Sequence, residues 1–361
     1  MKIGIITQPL ASNYGGILQN WALQQVLKQM GHDPITLRYR VIPLYRYYIA
    51  FIKALVLYCL GRIIALPPFP WRYFRQNRGI RHFVNKHINC ITHFGNYDSV
   101  VLKRQKIDFL IVGSDQVWRP SYNIPIENMF FDWVKDKTIP RIAYAASFGV
   151  SEWEFSAEQE TNCCALLQNF KAVSVREKSG VELCMTHLDC CDAQWVLDPT
   201  LLVEKEVYAD LCKHIPAKKN VFVYMLDYNS KILEFACKVA ERYDCELLVK
   251  QAHDNLTSSD TPEVWLASFR DAQFVITDSF HGTVFSIVFQ KEFVTFRNEG
   301  RGNARMDSLM QVVGLHDRLV TSNTVSLPAS SIDWKTLQQR LSVKQRESMD
   351  FLAKNCASDS A

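Results

Sequence analysis

The sequence predicts an α/β fold of two parallel-sheet halves facing each other across a cleft. Three observations predict it. Short apolar runs of strand length alternate with helical periodicity, polar residues stand just past the C-terminal ends of those runs, and the pattern restarts near the middle of the 361 residues. That length suits two domains rather than one core. With 48% hydrophobic and 22% charged residues the chain can fill such cores, which excludes wholesale disorder.

The first half opens with a strand at 2–7, a loop at 8–16 and a helix at 17–30 stopped by Gly31, followed by a strand at 35–37. This is a β-α-β unit. Further strands fall at 109–112, running into Gly113-Ser114-Asp115-Gln116, at 141–146, running into Ser147-Phe148-Gly149, and at 172–175, running into Arg176-Glu177. Residues in such positions form the sites of open α/β sheets. The stretch 195–200 reads as the crossing into a second unit, with a strand at 220–226, a helix at 230–243 and strands at 246–250, 274–277 and 292–296. A helix at 282–289 lies between the last two, and 334–356 closes the chain as a helix. The domains are accordingly 1–195, the acceptor side, with a basic apolar insert at 38–86; 196–333, the donor side; and a helix at 334–361 packing back on the first domain.

The net charge of +4 conceals an asymmetry: residues 34–97 contain no Asp or Glu but ten cations, Arg38, Arg40, Arg46, Lys53, Arg62, Arg72, Arg75, Arg78, Arg81 and Lys86. Apolar residues 44–60 and 63–66 run among them, interrupted by Lys53 and Arg62, so no uncharged stretch is long enough to span a bilayer. Two readings stand side by side: an interfacial helix in peripheral contact with an anionic membrane or a lipid diphosphate, and a core helix with a solvated basic rim. Aromatic residues are interleaved with the cations, yet no nucleic-acid module is recognisable, so no nucleic acid is expected as a partner.

Eleven cysteines, an odd number without an export signal, point to free thiols in a reducing cytosol. The expected location is cytoplasmic, peripheral on the inner face of the cytoplasmic membrane. Cys184, His187, Cys190 and Cys191 lack the paired knuckles of a zinc site, and no metal is expected there.

The sharpest local pattern is Thr277-Asp278-Ser279-Phe280-His281-Gly282-Thr283, between a buried strand and an apolar helix. Free N–H groups at such a helix start favour an anion, and His281 could donate to it or protonate a substrate; equally, Ser279 could simply cap the helix while His281 packs. Arg176 could grip a carboxylate or phosphate, or pair with Glu177. Arg301 and Arg305 sit in the glycine-rich run 300–305 beyond the last strand, which is also readable as a surface loop. Gly15 and Gly16, after Asn13 and Tyr14, permit close backbone approach without completing a dinucleotide motif. Asp115, Gln116 and Trp118 offer a carboxylate, an amide and an aromatic plane, the groups that bind sugars.

Together these blocks are similar to the polysaccharide pyruvyl transferase family. They are NYGGILQNWALQQ (13–25), FLIVGSDQVW (109–118), AYAASFG (143–149), VSVRE (173–177), VLDPTLL (196–202), FVITDSFHGTVF (274–285) and GRGNARMDSL (300–309). The resemblance implies two Rossmann-like domains facing across a cleft, as in the GT-B glycosyltransferases. It also implies transfer of pyruvate from phosphoenolpyruvate to two hydroxyls of one sugar, giving a cyclic ketal. The residues matching the family's donor contacts are Arg176 and His281. Many members carry Arg-Leu-His where this chain has Ser279-Phe280-His281, so Arg305 or Arg301 is expected to replace the missing arginine. The expected roles are His281 as acid, Asp115 as base, and Arg176, Ser279, Phe280, Arg301 and Arg305 around the donor. Asn13, Tyr14, Gly15, Gly16, Gln116 and Trp118 are expected around the acceptor. Phosphoenolpyruvate is the only small-molecule donor required, with no cofactor. The acceptor expected is a lipid-diphosphate-linked precursor of exopolysaccharide or capsule, with galactose bridged through its 4- and 6-hydroxyls. Two other functions fit the same architecture: a glycosyltransferase using a nucleotide sugar, and a non-catalytic subunit of polysaccharide assembly.

Overall fold

The protein is described by a computed structural model covering residues 1–11, 13–39, 44–62, 77–252, 259–322 and 325–357. Arg40, Arg72, Arg75 and the apolar run 63–66 lie outside the described residues.

The first half is a seven-stranded sheet of β1 (Lys2–Ile6), β2 (Asp33–Arg38), β3 (Cys90–Thr92), β4 (Phe109–Asp115), β5 (Arg141–Ala146), β6 (Ala172–Val175) and β7 (Gln194–Trp195). Its order is β3-β2-β1-β4-β5-β6-β7, every pair parallel. The second half holds β8 (Asn220–Met225), β9 (Glu246–Gln251), β10 (Ala272–Thr277), β11 (Glu292–Phe296) and β12 (Leu319–Val320) in the order β12-β11-β10-β8-β9, again all parallel. Helices cover both faces, which is why the central strands read as unbroken apolar runs rather than as an alternation. The α/β fold of two Rossmann-like halves is thus the observed one.

Strand order reverses between β1 and β4 in the first sheet and between β8 and β10 in the second. These are the switch points where crevices open in such sheets, and the chain brings the two into one cleft. Along the rest of the interface the halves are fused. One apolar cluster runs from Ile3 and Trp21 in the first half through Tyr208 to Trp265 and Phe285 in the second. At its centre is helix α1 (Tyr14–Gln29), buried almost all round. A helix in that position has no solvent face to mark its start, and its amphipathic pattern is weak. Asn13 Oδ1 caps it by accepting from Gly16 N at 3.2 Å, so it begins three residues before its predicted start. The helix Phe280–Val288 likewise starts two residues early, capped by Ser279 Oγ.

The closing helix Trp334–Asn355 ties the halves together. Its Ser348 Oγ accepts from Leu197 N at 2.9 Å, Gln345 Nε2 donates to Leu201 O at 2.6 Å, and the Phe351 ring lies 6.1 Å from that of Tyr144. The basic insert contributes helix α2 (Leu44–Cys59), largely exposed.

Candidate functional site

The cleft holds a cavity of about 170 Å³ lined from both halves. From the first sheet come Asn13, Asp115, Gln116 and Tyr122; from the second come Asp278, Ser279, Phe280, His281, Asn298, Arg301 and Arg305. Most of these follow strand ends at the two switch points, so the sheet order itself makes them converge.

Asp115 ends β4 with φ +76°, in the left-handed region that a non-glycine residue enters at a cost. Its Oδ1 accepts from Gln116 N at 2.9 Å and from Arg176 Nη2 at 3.3 Å. The Asp278 oxygens are engaged within the protein, accepting from Leu226 N at 2.6 Å, Asp227 N at 3.3 Å and Asn298 Nδ2 at 3.0 Å. Burial raises its pKa above the ordinary carboxylate value.

His281 lies in the first turn of its helix, buried, with Nε2 3.6 Å from Asp198 Oδ2. That spacing is too long for a hydrogen bond. The ring rests against Gly15 so closely that a Cβ there would stand 2.2 Å from Nδ1. The adjoining Gly16 would bring a Cβ within 3.1 Å of Asp115 Oδ2. The Asn-Tyr-Gly-Gly run is therefore where the first half meets the catalytic candidates: Asn13 caps, Tyr14 stacks on Trp265 at 5.6 Å, Gly15 admits the imidazole and Gly16 admits Asp115.

Behind this layer, Asp198 is a fully buried hub. Its Oδ2 accepts from Arg176 Nη1 at 2.6 Å, and its Oδ1 from Thr200 N at 3.0 Å and Thr200 Oγ1 at 2.6 Å. Burial works to raise its pKa, but the neighbouring His281 imidazole and Arg176 guanidinium outweigh it and hold the carboxyl well below the ordinary range. Burial works against the charge of Arg176, and Asp198 with Asp115 more than offsets it. Phe280 lies between two guanidinium groups, Arg176 at 4.7 Å and Arg305 at 5.7 Å from its ring centre. Burial, followed by the charge of Arg176, lowers Arg305 to about 10, which leaves it cationic at neutral pH.

Four expectations change here. Arg176 does not line the cavity: two carboxylates hold it beneath Phe280, and neither of them is Glu177. Glu177 instead accepts from the N–H groups of Phe148 at 2.6 Å and Gly149 at 3.2 Å. Arg305 lines the cavity, whereas Arg301, also on the lining, is gripped by Asp227 through Nε at 3.1 Å and Nη2 at 2.9 Å. Trp118, expected as a sugar platform, is fully buried, stacked on Phe130 at 4.9 Å, because the chain beyond Gln116 turns its indole into the first-half core. Tyr14, Gly15 and Gly16 are likewise buried at the joint between the halves and do not line the cavity, whereas Asn13 and Gln116 do.

Asp198 is the functional candidate missed in the sequence. It stands in the block 196–202, immediately past the last strand of the first sheet, a position that gives a signal; its partners are remote in sequence. Among the described residues, no three of His, Cys, Asp or Glu come together as a metal ligand set. Cys184 and Cys190 are buried, with burial raising both thiols.

The sequence profile of the polysaccharide pyruvyl transferase family matches residues 13–300. No curated protein matches the chain. Similar solved structures include the UDP-GlcNAc 2-epimerase of Methanocaldococcus jannaschii in complex with UDP-GlcNAc and UDP, 11% identical, covering 98% of this chain and 99% of that one, TM-score 0.45. The UDP-GlcNAc 2-epimerase of Neisseria meningitidis bound to UDP-GlcNAc is 12% identical, with coverage of 98% and 94% and a TM-score of 0.47. The glycosyltransferase SsfS6 of Streptomyces sp. SF2575 is 12% identical, with coverage of 98% and 98% and a TM-score of 0.39.

Proposed function

The chain belongs to the polysaccharide pyruvyl transferase family, and on that premise we propose that it moves pyruvate from phosphoenolpyruvate to two hydroxyls of one sugar. The sugar is carried on a lipid-linked precursor of surface polysaccharide, exopolysaccharide or capsule, at the inner face of the cytoplasmic membrane. Galactose bridged through its 4- and 6-hydroxyls is the acceptor to test first.

The observation that carries the reading is the cavity itself. At about 170 Å³ it suits a small anion and falls well short of the roughly 300–1,000 Å³ typical of larger ligands such as a nucleotide sugar. Its lining supplies Arg305, Arg301, the Ser279 hydroxyl and the first N–H groups of the Phe280–Val288 helix for a phosphate and a carboxylate. Beside them stands an imidazole.

In the proposed reaction His281 gives a proton to C3 of the enol, leaving C2 oxocarbenium-like. A sugar hydroxyl attacks C2 as Asp115 takes its proton. The C2–O bond to phosphate then breaks, and phosphate leaves toward Arg305 and the helix start. The second hydroxyl adds to C2 and gives its proton to the departing phosphate, the ketal closes, and the proton held by Asp115 returns through solvent to His281. Asp198 orients the imidazole, and Arg176 holds Asp198 and Asp115 at their spacing.

The test is phosphate release from phosphoenolpyruvate with candidate lipid-linked acceptors, with mass spectrometry of the product. The expected product has gained pyruvate less one water, and His281→Ala lowers the rate by about 10²–10⁴-fold. Stabilisation of the protein by nucleotide sugars but not by phosphoenolpyruvate would refute the reading.

A further inference from the structure

A larger cavity, of about 540 Å³, opens beside the donor cavity in the first half. Tyr122 lines both. A polar seam separates them elsewhere: Gln8 Nε2 donates to Gln116 O at 2.8 Å, and Asn123 Nδ2 donates to the same oxygen at 3.2 Å. The described lining of the larger cavity includes two cations, Arg38 and Arg81, and no carboxylate. Tyr39 and Tyr97 add stacked rings 4.6 Å apart. The guanidinium groups suit a phosphate-bearing ligand, while the buried Tyr39 ring, with Tyr97, His93 and Trp133 packed against it, forms wall rather than a stacking platform.

The far wall of this cavity is reached by α2 through Tyr47. Among the described side chains of that helix only Tyr47, Phe51 and Ala54 are half-buried, one inward face at i, i+4 and i+7. The opposite side exposes Tyr45 (58%), Ile49 (47%), Ile52 (58%) and Val56 (52%) as a continuous stripe, with Leu60 just beyond. Arg46 and Lys53, both exposed and seven residues apart, lie along one edge of the stripe. No helix among the described residues is long and apolar enough to cross a membrane. A water-exposed stripe of this size needs a cover. The absence of any acidic residue from 34 to 97 selects an anionic one.

We propose that α2 lies on an anionic bilayer and that the larger cavity takes the phosphate-bearing end of an amphiphilic acceptor, held between Arg38 and Arg81. The sugar of that acceptor then reaches the donor cavity past Tyr122 while its lipid stays in the membrane. The proposal rests on the pyruvyl transfer reading above, which supplies the acceptor, and its test is arranged to fail separately.

The full-length protein is sedimented with vesicles of phosphatidylcholine alone or mixed with phosphatidylglycerol, and titrated calorimetrically with farnesyl diphosphate, inorganic pyrophosphate and phosphoenolpyruvate. Binding to the mixed vesicles and not to the neutral ones is expected, weakened about 10-fold or more in the double variant Ile52→Glu, Val56→Glu. Farnesyl diphosphate is expected to bind better than pyrophosphate, and Arg38→Gln and Arg81→Gln each to weaken it about 10-fold with phosphoenolpyruvate binding unchanged. Equal binding to both vesicle types would overturn the proposal. So would a dimer that the α2 double variant dissociates without any effect on vesicles, or farnesyl diphosphate affinity indifferent to Arg38 and Arg81. Absence of phosphoenolpyruvate binding by the unaltered protein would instead count against the donor reading alone, because the vesicle and farnesyl diphosphate measurements do not involve that cavity.

Discussion

Gly15→Ala tests the joint between the halves at its tightest point. The added methyl carbon would stand 2.2 Å from Nδ1, 2.3 Å from Cγ and 2.7 Å from Cβ of His281. Ordinary contact begins near 3.4 Å, so the imidazole must retreat by about 1 Å or the two halves must part; a misplacement of that size costs about 10²-fold in rate. Stability should fall by only about 1–3 kcal/mol, the usual cost of overpacking, because α1 keeps its cap and its stack on Trp265. The assay is phosphate release at saturating phosphoenolpyruvate and acceptor, with urea denaturation to confirm the fold. Folded Gly15→Ala protein turning over at the wild-type rate would refute both the positioning argument and the place given to His281.

Three further outcomes are expected. Arg305→Gln should weaken phosphoenolpyruvate by about 10- to 100-fold in calorimetry, whereas Arg301→Gln, whose guanidinium is already committed to Asp227, should cost only a few-fold. Asp198→Asn leaves the buried charge of Arg176 with Asp115 alone, at 3.3 Å, to offset it and should destabilise the protein by up to about 3–5 kcal/mol in urea titrations at neutral pH. The native Asp198 carboxyl is held below its unfolded value of about 3.9, so its contribution to stability is full above that pH and is lost as pH falls below it. Stability measured from pH 6 downward should therefore drop less steeply in Asp198→Asn than in the unaltered protein.

Most of the fold was legible because strands buried on both faces announce themselves by composition alone. The runs at 109–112, 141–146, 172–175 and 292–296 all became strands. Elements that owe their existence to neighbours were not legible. Cys90–Thr92 and Leu319–Val320 are edge strands too short to carry a period, and Gly113-Ser114-Asp115 continues β4 only because β5 offers partners to it. Of the residues singled out for the site, Asn13, Asp115, Gln116, Ser279, Phe280, His281, Arg301 and Arg305 converge on one cavity, since strand-end position was the criterion and strand ends meet at the switch points.

The order of residues along the chain therefore determined that there would be two parallel sheets, which residues would end their strands, and that an apolar, acid-free insert would leave the first half. Only the tertiary structure decided which of those residues line the cavity. It withdrew Arg176 behind Phe280 onto two carboxylates, turned Trp118 into the core, and made Asp198 the partner of both Arg176 and His281. Composition and period report whether a segment is buried, because burial is averaged over a local stretch of chain. The direction in which one polar side chain points depends on carboxylates and glycines from the other half, and sequence separation carries no record of them.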